Sequence, residues 1–299
     1  FTPKLLRYIV KKNLVAKIYK DNDIVICDSW KSINAVPDKV KKIIVFAHGQ
    51  EYLATKKTNL IKKSLYRANH IISSSNYTLD LINNMNITEI KKSIIPPTYS
   101  LKAIDENNIF KQPTKKVSIL SITRLEERKG IIPVLKSLGY LHKEKLIKPF
   151  IWKICGEGDQ ENEIKNYIDN LGLSKHVRLL GRVSNETKNQ LLKKADLFVM
   201  PSYKVRNSIE GFGISYIEAA SYGVPSIAGV EGGIRDAVFD MKTGWCVDPL
   251  NSSLLLDTIK ESINNESKRE KFGLEAKKQF LKKFLGEKVF RKFMNTINS

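Results

Sequence analysis

The 299-residue sequence is poor in cysteine and histidine. Its three cysteines, Cys27, Cys155 and Cys246, form no CxxC pair. Its four histidines, His48, His70, His142 and His176, are scattered, so no zinc-ligand spacing occurs and no structural metal is expected. This excludes a disulfide scaffold and points to a reducing compartment. No run approaches the ~18 uncharged apolar residues of a membrane span, and no signal-peptide pattern opens the sequence. Repeats and low-complexity tracts are absent. Acidic residues are in deficit, 31 against 51 Lys and Arg, for a formal charge of +20.

What is present is a core. Apolar residues make up 42%, too many for a disordered tail. A chain of this length buries roughly three quarters of its unfolded surface and favours two domains.

Short apolar runs alternate with amphipathic stretches. The runs predict strands at Ile24–Cys27, Ile43–His48, His70–Ser73, Ser93–Ile95, Val117–Thr123, Phe150–Cys155, Val177–Leu180, Asp196–Met200, Pro225–Ala228 and Trp245–Val247. They are Ile- and Val-rich and nearly continuous, as suits strands covered on both faces of a parallel sheet. Ile164, Tyr167, Ile168 and Leu171 recur at helical spacing and stop at Gly172. Strands alternating with helices predict α/β units wound about parallel sheets. Pro96–Pro97, followed by the loop-like stretch up to Lys116, marks a boundary. An N-terminal α/β domain is therefore placed at 1–105 and a second at 115–266. Charged helices are placed at 267–299, the last of them packing back on the N-terminal domain.

The richest segment is Pro201–Pro249. Glu210 is followed by Gly211-Phe212-Gly213, then by a predicted helix Ile214–Tyr222 that carries Glu218 and ends at Gly223. Glycines feeding a helix N-terminus place free N–H groups and the helix dipole where a phosphate would bind. Eight residues of helical rise is about 12 Å. Two acids so spaced suit two hydroxyl pairs flanking a diphosphate; the spacing also fits a loop acid and a solvated helix acid with no ligand.

Strand Val117–Thr123 runs into Arg124-Leu-Glu-Glu-Arg-Lys129-Gly130. Arg124 and Lys129 thus leave the C-terminal end of a strand, where open α/β sheets bind ligands. They could neutralise a diphosphate, or belong to an ordinary basic loop. Gly156 and Gly158 follow strand Phe150–Cys155 and read equally as a tight turn or as a nucleotide-facing loop.

Taken in order, SITRLEERKG, KICGEGD, RLLGRVSNE, ADLFVMPS, EGFGISYIEAASYGVPSIAGVEGG and TGWCVDP resemble the retaining GT-B glycosyltransferases of family 4. DIVICDSW and FAHGQEYL are similar to that family's N-terminal domain. The resemblance implies two Rossmann-like doubly wound domains facing a cleft. The N-terminal domain would be shorter than a complete one by about 60–80 residues, on domain size, and the glycine-rich loop after its first strand has no match.

The resemblance also implies roles. Arg124 and Lys129 would hold the donor diphosphate, and Glu210 the donor-sugar hydroxyls. Glu218 would accept from the ribose diol. Backbone N–H groups around Gly211, Phe212, Gly213 and Ile214 would complete the phosphate cradle. Gly156 and Gly158 would let the backbone pass the nucleotide, and Arg182 and Val183 would border the base. His48 would face the sugar. The implied reaction is metal-independent transfer of a hexose from a nucleotide diphosphate sugar, GDP-mannose or a UDP-sugar, with no other cofactor. The implied acceptor is a glycan or lipid-linked molecule in cell-surface polysaccharide or glycolipid synthesis.

Charge bears on partners. Residues 1–100 hold 17 basic and 7 acidic residues, whereas 201–250 hold 4 and 6. The basic excess therefore lies away from the acid-bearing segment. It suits peripheral binding of a cytoplasmic protein to an anionic membrane surface. Two alternatives stand beside the transferase: a nucleotide-sugar-binding module without transfer activity, and a basic nucleic-acid-binding protein, although no helix-turn-helix, zinc finger or aromatic stacking series accompanies the charge.

Overall fold

The structure is a computed structural model. It describes residues 4–21, 23–53, 56–99 and 116–298, with side chains from residue 9 onward. The chain forms two compact units: Phe1–Pro96 with Phe290–Ser299, and Pro97–Val289. The division falls at the Pro96–Pro97 pair; the boundary expected between 105 and 115 lies outside the described residues.

The first unit runs α1 (Lys4–Ile18), β1 (Ile24–Cys27), α2 (Trp30–Ile33), β2 (Lys42–Ala47), α3 (Thr58–Leu65), β3 (His70–Ser73), α4 (Asn76–Asn83) and β4 (Lys91–Ile94). Its four strands are parallel in the order β1-β2-β3-β4. β3 is buried along its whole length, Ile71 and Ile72 apolar and His70 paired with Ser93 Oγ at 2.8 Å. The Ser75 hydroxyl accepts from the Thr78 N–H at 3.1 Å and caps α4. The last residues of the chain belong to this unit: Phe293 stacks on Phe46 with centroids 5.8 Å apart, and Lys42 Nζ donates to the Ile297 carbonyl at 2.6 Å.

The second unit continues with β5 (Val117–Ile122), α5 (Ile131–Lys143), β6 (Phe150–Cys155), α6 (Glu161–Asn170), β7 (Val177–Leu179), α7 (Asn185–Lys194), β8 (Leu197–Met200), α8 (Ile214–Ser221), β9 (Ser226–Ala228), α9 (Ile234–Ala237), β10 (Gly244–Cys246), α10 (Ser252–Asn264), α11 (Glu266–Lys283) and α12 (Gly286–Asn298). The sheet is parallel throughout, ordered β10-β9-β8-β5-β6-β7. One face packs α5, α6 and α10 over Phe150, Trp152 and Ile154. The other packs α7, α8, α9 and α11 over Leu120, Phe198 and Met200. α11 supplies Ala276 and Phe280 to that second core; residues up to Val289 are part of this unit, and α12 from Phe290 onward belongs to the first.

Several polar groups inside this core are paired, although Thr123 Oγ1, Ser202 Oγ and Gln279 Oε1 are buried with no hydrogen-bond partner among the described residues. Trp152 Nε1 donates to Ser121 Oγ at 2.9 Å, and that hydroxyl donates onward to the Val199 carbonyl, tying β6, β5 and β8 together. Arg269 Nη1 donates to the Ser262 and Ile263 carbonyls at 2.7 Å each, satisfying the end of α10.

Candidate functional site

The strand order decides where a site can form. The chain winds from β5 outward through β6 and β7, then returns to the other side of β5 as β8. Crossovers therefore diverge between β5 and β8, and open parallel sheets bind ligands outside that point, at the carboxyl ends of the strands. Loop 123–130 leaves β5 there and loop 201–213 leaves β8 there.

Loop 201–213 delivers α8. Gly213 adopts φ 92°, and α8 starts with no side-chain cap. Tyr216 N–H closes the first turn on the Gly213 carbonyl at 3.0 Å, which leaves the N–H groups of Ile214 and Ser215 without an intrahelical acceptor. Ser215 Oγ donates to the Ile122 carbonyl at 2.9 Å, and Tyr216 Oη to the Met200 carbonyl. The helix start is thus fixed to the ends of both β5 and β8. Phe212 is buried against Phe284, ring centroids 5.7 Å apart, and Ile214 is exposed. The Glu210 carbonyl accepts from Gly233 N at 2.9 Å. A Cβ at Gly232 would overlap that carbonyl, so the Glu-Gly-Gly run 231–233 holds the backbone at Glu210.

The charged side chains form a chain. Arg124 pairs with Glu126 at 2.9 Å. Glu126 accepts from Arg128 Nε at 3.0 Å. Arg128 Nη1 donates to Glu210 Oε2 at 3.1 Å, and Lys129 Nζ donates to the same oxygen. The Arg124 side chain is 74% exposed, whereas those of Arg128, Lys129 and Glu210 are 6%, 9% and 16% exposed. Burial opposes ionisation of Glu210, but the Lys129 ammonium and the Arg128 guanidinium outweigh it and hold the Glu210 pKa below the usual carboxylate range. The pairing thus favours the ionised acid, while burial works against the Lys129 ammonium and pulls its pKa down.

Glu218 sits in the second turn of α8 and has a different partner. Lys188 Nζ of α7 lies 2.6 Å from its Oε1, with side chains 17% and 10% exposed. The same ammonium sits 5.4 Å over the Tyr99 ring, and Tyr99 Oη donates to Asn189 Oδ1 at 2.8 Å. Burial, with the neighbouring Tyr99, pushes the Tyr222 hydroxyl up to about 12.

The expected residues distribute as follows. Arg124, Lys129 and Glu210 belong to one ion-pair chain at the β5–β8 divergence, and Gly211–Ile214 lead from it into α8. Glu218 lies on that helix, held by another cation. Gly156 and Gly158 pack against the loop after β5: a Cβ on either would overlap the carbonyl oxygen of Thr123 or Leu125. Neighbouring backbone thus demands these glycines. Val183 packs on the core under α8, and Arg182 is exposed. His48 lies in the first unit, exposed just past β2, its Nε2 2.9 Å from the Asp28 carbonyl and its N–H donating to Glu51 at 2.8 Å. Among the described residues no three His, Cys, Asp or Glu side chains gather as metal ligands.

Sequence reading passed over Arg128, Glu126, Lys188 and Tyr99. Arg128 had a signal, since it adjoins Lys129 in a short 3-10 turn, Glu127–Lys129. Lys188 had one only in its place one turn after the Ser184 cap of α7.

These features define an α/β protein with a parallel, doubly wound sheet whose switch point carries an ion-paired charge cluster beside a helix start. The model of the family "Glycosyl transferases group 1" matches residues 104–279, and the chain belongs to that family. Over 139 residues (46% of this chain, 38% of the relative) it is 35% identical to the uncharacterized glycosyltransferase MJ1178 of Methanocaldococcus jannaschii. Over 133 residues (44% and 34%) it is 32% identical to a GDP-mannose-dependent alpha-(1-6)-phosphatidylinositol monomannoside mannosyltransferase of Mycolicibacterium smegmatis. The match thus spans little more than a third of either relative. S. aureus TarM, solved as a mutant in complex with Fondaparinux, alpha-GlcNAc-glycerol and UDP, superposes with a TM-score of 0.76 at 22% identity, covering 98% of this chain and 59% of TarM. The fold is that of the GT-B glycosyltransferases.

Proposed function

We propose that this chain carries the donor site of a retaining hexosyltransferase that uses GDP-mannose or a UDP-sugar. Its acceptor would be a glycan or lipid-linked molecule in cell-surface polysaccharide or glycolipid synthesis. The observation that carries the reading is the gathering of Arg128 and Lys129 on Glu210 beside the uncapped start of α8, at the switch point of the sheet. The same features support each role. The α8 N–H groups and Lys129, with Arg124 from the exposed rim, take the diphosphate. Glu210, favoured in its ionised form, accepts from donor-sugar hydroxyls. Glu218 accepts from the ribose diol, with Val183 and Arg182 bordering the base.

In the reaction the bond from the anomeric carbon to the diphosphate oxygen breaks, and its electron pair leaves with the diphosphate. The acceptor hydroxyl bonds to that carbon on the same face, and its proton passes to a departing phosphate oxygen. The protein supplies orientation and a preorganised positive field for the leaving group. Side-chain cations in that role make the transfer metal-independent, so an excess of chelator is expected to leave the rate unchanged.

The test is a thermal-shift panel of UDP, GDP and their sugars, because ligands that bind the native state raise its melting point. Stabilisation by at least one sugar nucleotide, followed by transfer to a lipid or glycan acceptor, is expected; no shift with any of them sinks the reading. The basic excess of residues 1–100 supports peripheral binding on an anionic, cytoplasm-facing membrane. No described helix is long and apolar enough to cross one. Equal co-sedimentation with neutral and anionic vesicles at low salt would remove the membrane role.

A further inference from the structure

Arg128 is nearly enclosed, with its side chain 6% exposed, and its guanidinium reaches two carboxylates on different segments. Nε meets Glu126 Oε2 at 3.0 Å and Nη1 meets Glu210 Oε2 at 3.1 Å. Glu126 is held from its other oxygen by Arg124 at 2.9 Å. Both cations on Glu210 fall on one carboxylate oxygen, Oε2.

Under the proposed function Lys129 has two claims on it, the donor diphosphate and Glu210. An ammonium on a flexible stem can turn from one to the other; a planar guanidinium fixed at its far edge by a second acid cannot. We infer that Arg128 is a positioning residue that keeps Glu210 in its sugar-reading orientation when Lys129 turns to the diphosphate, so that Arg128 governs recognition of the donor sugar and not of the nucleotide. The inference rests on the donor-site reading above.

Its signature is a ratio of affinities. Titration calorimetry of the whole chain with UDP, GDP, UDP-glucose, UDP-N-acetylglucosamine and GDP-mannose measures how much each sugar adds to its parent nucleotide. Arg128→Gln is expected to bind the parent nucleotide within about threefold of wild type and to lose about tenfold or more of the sugar's contribution. The acid limb of sugar-nucleotide binding is expected to move to higher pH, because Glu210 loses a cation. Arg128→Lys keeps the charge but cannot span both acids; it is expected to shift the ratio the same way by a smaller factor. This variant, checked for a cooperative melt, serves if the glutamine variant does not fold.

Equal loss for nucleotide and sugar nucleotide would assign Arg128 to structure alone and overturn the inference. An unchanged ratio in a folded Arg128 variant overturns it too, as does an unchanged ratio in Glu210→Gln, which would mean Glu210 reads no sugar. If wild type binds none of the five ligands, the donor-site reading itself fails and this inference falls with it.

Discussion

Replacing Glu218 by alanine separates a ribose-reading acid from a merely structural one. Glu218 is held by Lys188 at 2.6 Å, with both side chains mostly buried. Removing it has two separable effects. The ammonium is stranded; losing one partner of a buried pair costs about 3–5 kcal/mol, but Lys188 is 17% exposed and can turn to water, which lowers the expected loss to about 1–3 kcal/mol. Binding loses a charge-assisted hydrogen bond to the ribose, about 1.5–3 kcal/mol, or roughly 10- to 150-fold in the dissociation constant. Calorimetry with UDP, GDP and their deoxyribose counterparts distinguishes these effects. Wild type should prefer the ribonucleotide, and Glu218→Ala should bind both forms alike. A folded variant that keeps wild-type affinity and keeps the preference for ribose refutes the reasoning, because the acid would then be serving only Lys188.

Three further outcomes are expected. Lys129→Ala should lower kcat more than donor affinity, by about 100-fold or more, since its charge opposes the anion that grows on the leaving group; steady-state kinetics with single-turnover controls measures the split. Gly156→Ala should lower the melting temperature sharply, because Gly156 has φ 134° and a Cβ there would overlap the Thr123 carbonyl; urea denaturation reads the loss, about 2 kcal/mol or more. The depressed Glu210 pKa stabilises the fold above the unfolded carboxylate value near 4.3, and that contribution vanishes as pH falls through the lower folded value; melting curves below about pH 4 should therefore fall more steeply for wild type than for Glu210→Gln.

Most of the ten strands were legible in the sequence because a strand covered on both faces is largely apolar and stands out between amphipathic segments; β4, Lys-Lys-Ser-Ile at the edge of its sheet, is the exception. Strand ends shifted by one or two residues, as at β2, which closes at Ala47 and leaves His48 in the loop. The acids, glycines and two of the cations of the proposed site could also be picked out, since each lies in a short segment where loop, glycine and helix start follow one another. What the sequence could not determine is which charge meets which. Arg128 faces Glu210 across 82 positions, and Lys188 faces Glu218 across 30, and no local period links either pair. Those partnerships exist only because β5 and β8 become neighbours when the sheet doubles back. The same folding decides that Gly156 and Gly158 are demanded by the backbone of the adjoining loop, and that α11 lies in the core of the second unit while α12 ends in the first. Local pattern specifies what each segment must bury; the order in which strands lie side by side specifies which side chains then share a low-dielectric site, and only there does an ion pair become a fixed part of it.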